Sequence, residues 1–457
     1  MLQTTSLRLL ASAFALAAAT PLHAQTRGAS LDSLIAASLP NHPTLRAANA
    51  VLQAERARVR PAGALPDPIL MAGIENLPLG SETPQPAGHA PSAEPESELP
   101  DRMTMKMVGV SQLLPFPGKI AARRRAAAQL VLAAQARLDG ARLEIVSEIS
   151  DAYYELSYLD RALQLVRAAY DVSRDVERAA QARYTTGTGD QRAVLDARVA
   201  TARYSEQAAA LEEERRIQHA ALGAAVGDSV AVPIAAIIPE RIARAALPAN
   251  AAAVRFTSAE PGARAAGSPL PLLAELQESA VRNNPELRAR AAELSALAHE
   301  RDLARKEYLP DFDVSLRYGQ RTGRPDMISA TVAIPLPMQK GRKQDELVRA
   351  AEAELSAAQA GLLDQTNRVR AEVARVHAEL ERIRTQLALF SRSIIPQAQA
   401  AAASATASLE AGRLELLTVL ERRTDLLEYQ LEFDRLLAEF AQKLVELESA
   451  VGAEVLS

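Results

Sequence analysis

Two long stretches of the chain carry hydrophobic residues at intervals of three and four. The first series comprises Val146, Ile149, Tyr153, Leu156, Leu159, Leu163, Val166 and Tyr170, and the second comprises Val369, Val373, Val376, Leu380, Ile383, Leu387, Phe390 and Ile394. This spacing is typical of the heptad seam of a helix that packs lengthwise on other helices. The first helix is predicted from Lys119 to Tyr184, which is about 100 Å at about 1.5 Å per residue. A glycine turn, near Gly187 or Gly412, is predicted to reverse each long helix.

Four short segments instead alternate apolar and polar residues. In the clearest case, the apolar residues Phe312, Val314, Leu316 and Tyr318 alternate with the polar residues Asp311, Asp313, Ser315 and Arg317. A period of two predicts a strand whose two faces meet different surroundings. Two hairpins are therefore predicted, with strands at about Asp67 to Leu77, Arg102 to Leu114, Asp311 to Tyr318 and Met327 to Ile334. One helix is predicted before each hairpin, at about Leu31 to Arg60 and about Leu270 to Lys306.

Several short sequences occur twice in the same order, so we interpret the chain as a tandem duplication. The pairs include Asn41-His42-Pro43-Thr44-Leu45 with Asn283-Asn284-Pro285-Glu286-Leu287, Leu65-Pro66-Asp67 with Leu309-Pro310-Asp311, Pro115-Phe116-Pro117 with Pro335-Leu336-Pro337, Val194-Leu195-Asp196 with Val419-Leu420-Glu421, and Ala225-Val226-Gly227 with Ala450-Val451-Gly452. We expect a first repeat at 25–227, a loosely structured crossover at 228–268 and a second repeat at 269–457. Each repeat contains a helix, a β-hairpin and a long helical hairpin. A loop rich in proline and serine is expected at 78–100.

The first residues predict export. Arg8 precedes the apolar run from Leu9 to Ala19, and small residues follow up to Ala24, which is the pattern of a cleaved signal peptide at 1–24. A transmembrane anchor is the alternative, but about eleven apolar residues are too few to cross a bilayer core of about 30 Å. No later segment is apolar and long enough for a membrane helix. Any membrane-embedded part is therefore expected to consist of strands.

Composition argues against several classes of function. The formal net charge is −4, from 52 Lys and Arg against 56 Asp and Glu, which provides no basic surface for nucleic acid. Cysteine is absent, and this removes disulfides, thiolate metal sites and cysteine nucleophiles. The six histidines show no ligand spacing, and no phosphate-binding loop or nucleophile–base motif is present. We therefore predict no enzyme activity, no cofactor, no metal site and no nucleic-acid partner.

Four strands in one chain are too few to close a barrel, and an open sheet edge cannot lie in lipid. Three copies would supply about twelve strands, enough to surround a lumen. The same three copies would place their long antiparallel helices in a second tube. The predicted fold class is thus mainly α with a small β part, in which three chains build a helical barrel and a transmembrane β-barrel. Such an architecture implies a conduit.

The residues also resemble a known family. The Asn-x-Pro-x-Leu openings, the Pro115-Phe116-Pro117-Gly118-Lys119 exit from the second strand and the turn Tyr184 to Asp190 resemble TolC-like outer membrane factors. The run from Met103 to Gln112 is most similar to the heavy-metal efflux branch. The resemblance implies a homotrimer in outer-membrane lipid that extends into the periplasm. It also implies two partners, a periplasmic adaptor and an inner-membrane pump of the resistance-nodulation-division type, which supplies energy and substrate choice.

The resemblance further implies which residues contact the adaptor and which close the periplasmic end. The adaptor-contact tips are Thr186, Gly187, Thr188, Gly189 and Asp190 in the first repeat and Ala411, Gly412, Arg413, Leu414 and Glu415 in the second. A plain helix C-cap is the alternative interpretation of the tip glycines. The gate candidates are Arg192, Asp196, Thr418 and Glu421. A contact between Glu421 and Arg192 is a hypothesis, and solvated surface charge is its alternative.

Met103, Met105 and Met107 occupy alternate positions of one predicted strand. Thioethers suit Cu(I), but we interpret these residues as lipid-facing. Two alternatives to a metal-efflux duct stay open. One is an outlet of the same architecture for drugs or secreted polypeptides, and the other is a soluble periplasmic coiled-coil scaffold.

Overall fold

The computed structural model describes residues 30–76, 104–227, 236–247, 270–321, 324–411 and 413–456. The predicted signal peptide 1–24 and the predicted loop 78–100 lie outside these residues, as do Met103 and Gly412. Within them the α-helices are α1 Leu31–Ser38, α2 Pro43–Ala62, α3 Lys119–Thr185, α4 Gln191–Val226, α5 Glu240–Ala246, α6 Leu273–Asn283, α7 Pro285–Lys306, α8 Gln344–Leu389, α9 Ile395–Glu410 and α10 Leu416–Val451. The strands are β1 Ile69–Glu75, β2 Met105–Leu114, β3 Phe312–Arg321 and β4 Met327–Ala333.

The four strands form one antiparallel sheet in the order β1-β2-β3-β4. β1 and β2 pair as the first predicted hairpin, and β3 and β4 pair as the second. The two hairpins are joined through β2 and β3, where Leu114 lies opposite Phe312 and Met105 lies opposite Arg321. β1 and β4 are therefore the two edges of the sheet within one chain.

The long helices run back from the sheet as two helical hairpins. α3 has 67 residues, hence a length of about 100 Å, and α4 and α10 have 36 residues each. α3 packs along α4, α7, α10 and α2. The heptad residues predicted from the sequence belong to a core in which α10 packs on both α3 and α8. The fully buried members of this core include Ile149, Leu156, Val373, Leu380, Ile383 and Phe440. This confirms the helical period and the length of α3.

The prediction of one helix before each hairpin is wrong, because the structure has two helices there in each half: α1 and α2 before the first hairpin, and α6 and α7 before the second. α7 begins at Pro285, and the Asn284 side chain accepts hydrogen bonds from the N–H groups of Glu286 and Leu287 at 3.0 and 3.1 Å. A residue that precedes proline is disfavoured in helical backbone, so the Asn-x-Pro opening ends one helix and caps the next. α2 likewise begins at Pro43.

The crossover predicted as loosely structured contains a helix in the part that the structure describes. α5 buries Ile242, Ala245 and Ala246 against the core. The buried guanidinium of Arg384 in α8 donates its Nε–H to the carbonyl oxygen of Ala245 at 3.1 Å. Seven residues are too few to display a helical period in the sequence, so this helix was not predicted.

The second helical hairpin is interrupted where the first is continuous. Between α8 and α9 the backbone forms one π-helical segment, Phe390–Ile394, and Pro396 follows in the first turn of α9.

No helix among the described residues combines the length and the apolar composition needed to cross a membrane.

Candidate functional site

The first candidate site is the end of the first helical hairpin, where α3 turns into α4. Gly187 has φ +74°, and the N–H groups of Thr188 and Gly187 donate to the carbonyl oxygens of Arg183 and Tyr184 at 2.9 and 3.1 Å. This pair of hydrogen bonds is a Schellman C-cap. Asp190 then caps α4 by accepting from the N–H of Arg192 at 3.2 Å. The positive φ of Gly187 is thus required by the turn itself.

The whole of this end is exposed, from Ala182 to Asp190. Gly189 lies directly on the last turn of α3, because a Cβ at this position would lie 2.9 Å from Cβ of Arg183. The predicted tip residues Thr186, Thr188 and Asp190 therefore form one compact, solvent-accessible surface. Contact of this surface with an adaptor stays a prediction.

The second hairpin end repeats the same turn. The N–H of Arg413 donates to the carbonyl oxygen of Ser408 at 2.9 Å, which spans five residues, as the bond from Thr188 to Arg183 does. Ala411, Arg413 and Glu415 are exposed and Leu414 is half-buried, while Gly412 lies outside the described residues. The two predicted tips therefore share this hydrogen bond although their side chains differ.

The gate candidates lie beside these ends on two neighbouring helices, α4 and α10. Within one chain, Nε of Arg192 lies 3.6 Å from Oδ2 of Asp196, one helical turn away. Glu421 is exposed and Thr418 is half-buried. The predicted contact between Glu421 and Arg192 is not formed within the described residues of one chain. A contact between subunits stays a prediction.

The strand-to-helix junction of the first half holds a buried ion cluster that sequence reasoning missed. Lys119, the first residue of α3, is only 2% exposed. Its ammonium Nζ lies 2.9 Å from Oδ1 of Asp311 and 3.1 Å from Oε2 of Glu307, both in the segment that leads into β3. The N–H of Phe116 also donates to Oδ1 of Asp311, at 2.7 Å. We call Phe116, Lys119, Glu307 and Asp311 the junction clamp.

The contacts of the clamp favour the charged form of Asp311. Partial burial alone would raise the pKa of Asp311, but the hydrogen bonds from Lys119 and the Phe116 N–H outweigh burial and lower that pKa below its ordinary value. The clamp ties the first half of the chain to the second. A signal for the clamp is present in the sequence, since Lys119 follows the repeated motif Pro115-Phe116-Pro117 and Asp311 lies in the repeated motif Leu309-Pro310-Asp311. Nothing in the sequence shows that these two motifs touch.

The sheet has one mainly apolar face and one more polar face, called the apolar face and the polar face below. The apolar face also carries Lys106, Gln112 and Gln320, and the polar face also carries Ile69, Met71 and Leu113. Register places Val110 opposite Leu70 and Leu316, and Val108 opposite Tyr318. The exposed apolar face consists of Leu70, Ile74, Val108, Val110, Val314, Leu316, Tyr318, Ile328 and Val332. The opposite face carries Asp313, Ser315, Arg317, Arg321, Ser329 and Thr331.

The structure places two of the three predicted strand methionines on the sheet. Met105 lies opposite Arg321 and Met107 opposite Gly319, so both belong to the polar face. The Met105 side chain covers Gly319, since its sulfur lies 2.6 Å from where a Cβ on that glycine would be. Contact of these residues with lipid stays a prediction, and their place on the polar face argues against it. Alternation shows that Met105 and Met107 share a face, but only the neighbouring strand decides which face it is.

Within the part of the chain that the structure describes, no group of three or more His, Cys, Asp or Glu side chains is placed to hold a metal ion. The functional features are instead surfaces: two exposed helical turns at one end and a two-faced sheet at the other.

The profile of the family described as outer membrane efflux protein matches residues 34–228 and 276–453. The chain therefore belongs to the outer membrane efflux protein family, a family of export channels rather than enzymes, and the resemblance to TolC-like outer membrane factors is confirmed. No curated protein sequence is significantly similar to the chain.

Solved structures of the same fold match almost the whole chain. The outer membrane protein VceC of Vibrio cholerae is 22% identical, with a TM-score of 0.71 over 93% of this chain and 96% of VceC. CusC is 17% identical, with a TM-score of 0.70 over 93% of this chain and 92% of CusC. The open state of the MtrE outer membrane channel of Neisseria gonorrhoeae is 16% identical, with a TM-score of 0.71 over 94% of this chain and 90% of MtrE.

Proposed function

We propose that the chain is the outer-membrane exit duct of a tripartite efflux system and acts as a homotrimer after removal of its signal peptide. Three sheets of four strands close into one transmembrane barrel, and three pairs of helical hairpins continue it as a helical tube through the periplasm. The duct conducts, while an inner-membrane pump of the resistance-nodulation-division type supplies energy and substrate choice.

The single observation that carries this proposal is the two-faced sheet with open edges. Leu70 on β1 and Ile328 on β4 are 74% and 75% exposed in one chain, although both are large and apolar. Both lie on the apolar face, which suits contact with hydrocarbon, whereas the polar face suits a water-filled lumen. The backbone groups along β1 and β4 need partners in a membrane, and neighbouring subunits supply them.

The exposed helical turns are the proposed adaptor contacts. They lie at the end of α3, about 100 Å from the sheet, which is about three times the thickness of a bilayer core. A periplasmic adaptor that meets the duct tip to tip would touch Thr186 to Asp190 and Ala411 to Glu415. Arg192, Asp196, Thr418 and Glu421, just behind the tips, are the proposed gate.

Heavy-metal cations are the proposed substrate, on the resemblance of Met103 to Gln112 and Pro115 to Lys119 to the heavy-metal branch. An outlet for drugs or secreted polypeptides is the second candidate and uses the same architecture. A deletion strain distinguishes the two. Increased sensitivity to metal salts, restored by the cloned gene, is expected; sensitivity to drugs alone would favour the second candidate.

Two further measurements test the location of the protein and its proposed gate. In sucrose gradients the protein is expected with outer-membrane markers, and recovery in the soluble periplasmic fraction would instead indicate a coiled-coil scaffold. In planar bilayers, Glu421→Ala is expected to open more readily than the unchanged protein. An unaltered conductance would remove Glu421 from the gate without touching the duct proposal.

A further inference from the structure

The junction clamp joins the two halves of one chain. Because the motifs that carry it are repeated in the sequence, some of the clamp residues have counterparts at a second place in the chain. Asp311 lies in Leu309-Pro310-Asp311, which corresponds to Leu65-Pro66-Asp67. Phe116 lies in Pro115-Phe116-Pro117, which corresponds to Pro335-Leu336-Pro337. The counterparts of the clamp residues Asp311 and Phe116 are therefore Asp67 and Leu336.

These counterparts cannot meet within one chain. Asp67 leads into β1, at one edge of the sheet, and Leu336 follows β4, at the other edge. In the clamp, by contrast, the two motifs lie on adjacent strands, β2 and β3, with Leu114 opposite Phe312. A second clamp therefore requires the β4 edge of one subunit to lie beside the β1 edge of another.

Both counterparts are uncovered in the single chain. Asp67 is exposed and has no hydrogen bond or ion pair among the described residues. Leu336 is 77% exposed and Met338 is 91% exposed, although both are large apolar side chains. In the completed clamp, the equivalent part of the first half holds Lys119 almost fully buried.

The charges at the two edges are complementary. The 3-10 turn after Met338 carries Lys340 and Arg342, and Lys343 follows it; all three are exposed and form no ion pair with the described residues. A carboxylate, Asp67, therefore lies just before β1 at one edge of the sheet, and a cationic turn follows β4 at the other edge. In a second copy of this chain the end of β4 can lie beside the start of β1 of the first copy, which brings the turn to Asp67.

We propose that Asp67 of one subunit completes a second clamp on the next subunit. Its carboxylate accepts a hydrogen bond from the backbone N–H of Leu336, as Asp311 accepts one from Phe116, and it pairs with the cationic turn Lys340 to Lys343. This inference rests on the proposed trimer and adds the contact that sets where each β4 edge meets the neighbouring β1 edge.

The second clamp is weaker than the first. The residue that corresponds to Glu307 is Gly63, four positions before Asp67, so the clamp between subunits has one carboxylate where the clamp within the chain has two. Its cations also lie on an exposed turn, where salt screens ion pairs. Dissociation of the subunits is therefore expected to become easier at high ionic strength, while the first clamp stays closed.

Because the chain contains no cysteine, pairs of introduced cysteines can test the proposed contact by cross-linking without a background from native thiols. The double variant Asp67→Cys with Leu336→Cys, treated in the membrane with a short bismaleimide, is expected to give covalent dimers and trimers on denaturing gels. The matched control is Phe116→Cys with Asp311→Cys, which places the same pair within one chain and is expected to stay at the monomer position. Each single-cysteine variant is expected to remain uncrosslinked.

Native mass spectrometry of the unchanged protein and of the double variant, before cross-linking, separates the two ideas. A double variant that is a native trimer but yields no cross-link would overturn the second clamp and leave the duct proposal standing. A monomer of the unchanged protein would overturn both. A trimer that cross-links between subunits supports the clamp, and charge reversal extends the test. Asp67→Arg is expected to weaken the trimer. The addition of Lys340→Glu, Arg342→Glu and Lys343→Glu is expected to restore the ion pairing and hence part of the lost trimer stability, because arginine cannot accept the hydrogen bond from the N–H of Leu336.

Discussion

The two halves of the chain follow the same order of elements, yet their strand-to-helix junctions differ. In the first half, Lys119 is buried between two carboxylates and a helix of 67 residues follows without a break. In the second half, a short exposed turn at Lys340–Arg342 precedes α8, and the long helix is interrupted by the π-helical segment Phe390–Ile394. One junction is thus internally completed, and the other is open.

This difference teaches how one motif can serve two purposes. Within the chain, both partners of the junction clamp are always present, so the cluster can be buried. At the sheet edges the corresponding groups, Asp67 and Leu336, are exposed to water in one chain, which is what the proposed contact with a second subunit requires. The interruption in the second hairpin also suits a moving part, because π-helical segments and prolines are the usual points at which long helices bend.

The largest expected effect comes from Lys119→Met. Removal of the ammonium leaves Glu307 and Asp311 facing each other without their cation. This is expected to lower the free energy of unfolding by about 3 kcal/mol, the lower end for a broken buried pair, because both carboxylates are partly exposed. The matched variant in the second half, Lys340→Met, is expected to lower it by at most about 1 kcal/mol, because this side chain is exposed and is one of three cations in the proposed contact with Asp67 of the next subunit. Thermal unfolding followed by circular dichroism measures both. Equal losses would contradict the contrast between the junctions.

The second comparison uses the glycines that end α4 and α10. Gly227 and Gly452 have φ +78° and +75°, so alanine at either position costs about 1 kcal/mol of backbone strain. A Cβ on Gly452 would lie 2.6 Å from the carbonyl oxygen of Asn283, whereas the nearest atom to one on Gly227 is Cδ2 of His42, at 3.5 Å. Gly452→Ala is therefore expected to cost about 2 kcal/mol more than Gly227→Ala. Similar melting temperatures for the two variants would refute this.

A third prediction concerns pH. Burial raises the pKa of Glu448 in α10, and the hydrogen bond from the N–H of Val455, at 3.1 Å, only partly opposes this. Because the folded state binds this proton more tightly than the unfolded state, stability falls as pH rises from the ordinary value of 4.5 through the raised pKa.

Glu448→Gln keeps an acceptor for Val455 and removes the charge. We expect it to melt at a higher temperature than the unchanged protein at about pH 8, with the two curves converging below about pH 4.5. Glu354→Gln, an exposed position on α8, is the control and should match the unchanged protein throughout. A Glu448→Gln curve parallel to the unchanged protein at every pH would rule out the raised pKa. The first half has Gly223 at the corresponding position, so the effect belongs to the second half alone.

The smallest effect is expected for Pro396→Ala. Proline lacks the N–H that would bond to the carbonyl four residues earlier, and here it follows the π-helical segment. Alanine is expected to change stability by less than about 1 kcal/mol but to slow hydrogen exchange across Phe390 to Pro396. Unchanged exchange would show that the interruption does not depend on the proline.

The candidate surfaces were largely predictable because each is encoded locally. The Schellman turn that ends α3 needs a residue with positive φ, and the glycine at position 187 predicts that turn from the sequence alone. The heptad seam likewise predicts which face of α3 is buried. The breaks before Pro43 and Pro285 are also encoded locally, because a proline disfavours helical backbone at the residue before it. The prediction of a single helix there is wrong because the helix-favouring composition continues on both sides of the proline.

The sequence by itself determined the helical period, the length of α3, the four strands and the family, since all of these depend on the order of residues along the chain. Only the tertiary structure decided which face of β2 carries Met105 and Met107, that Lys119 meets Asp311, and that α5 joins the core. These three outcomes depend on contacts between residues far apart in sequence. A strand's alternation is the same for either face, so its neighbour chooses the environment, and a buried charge is understood only when its partner is in place.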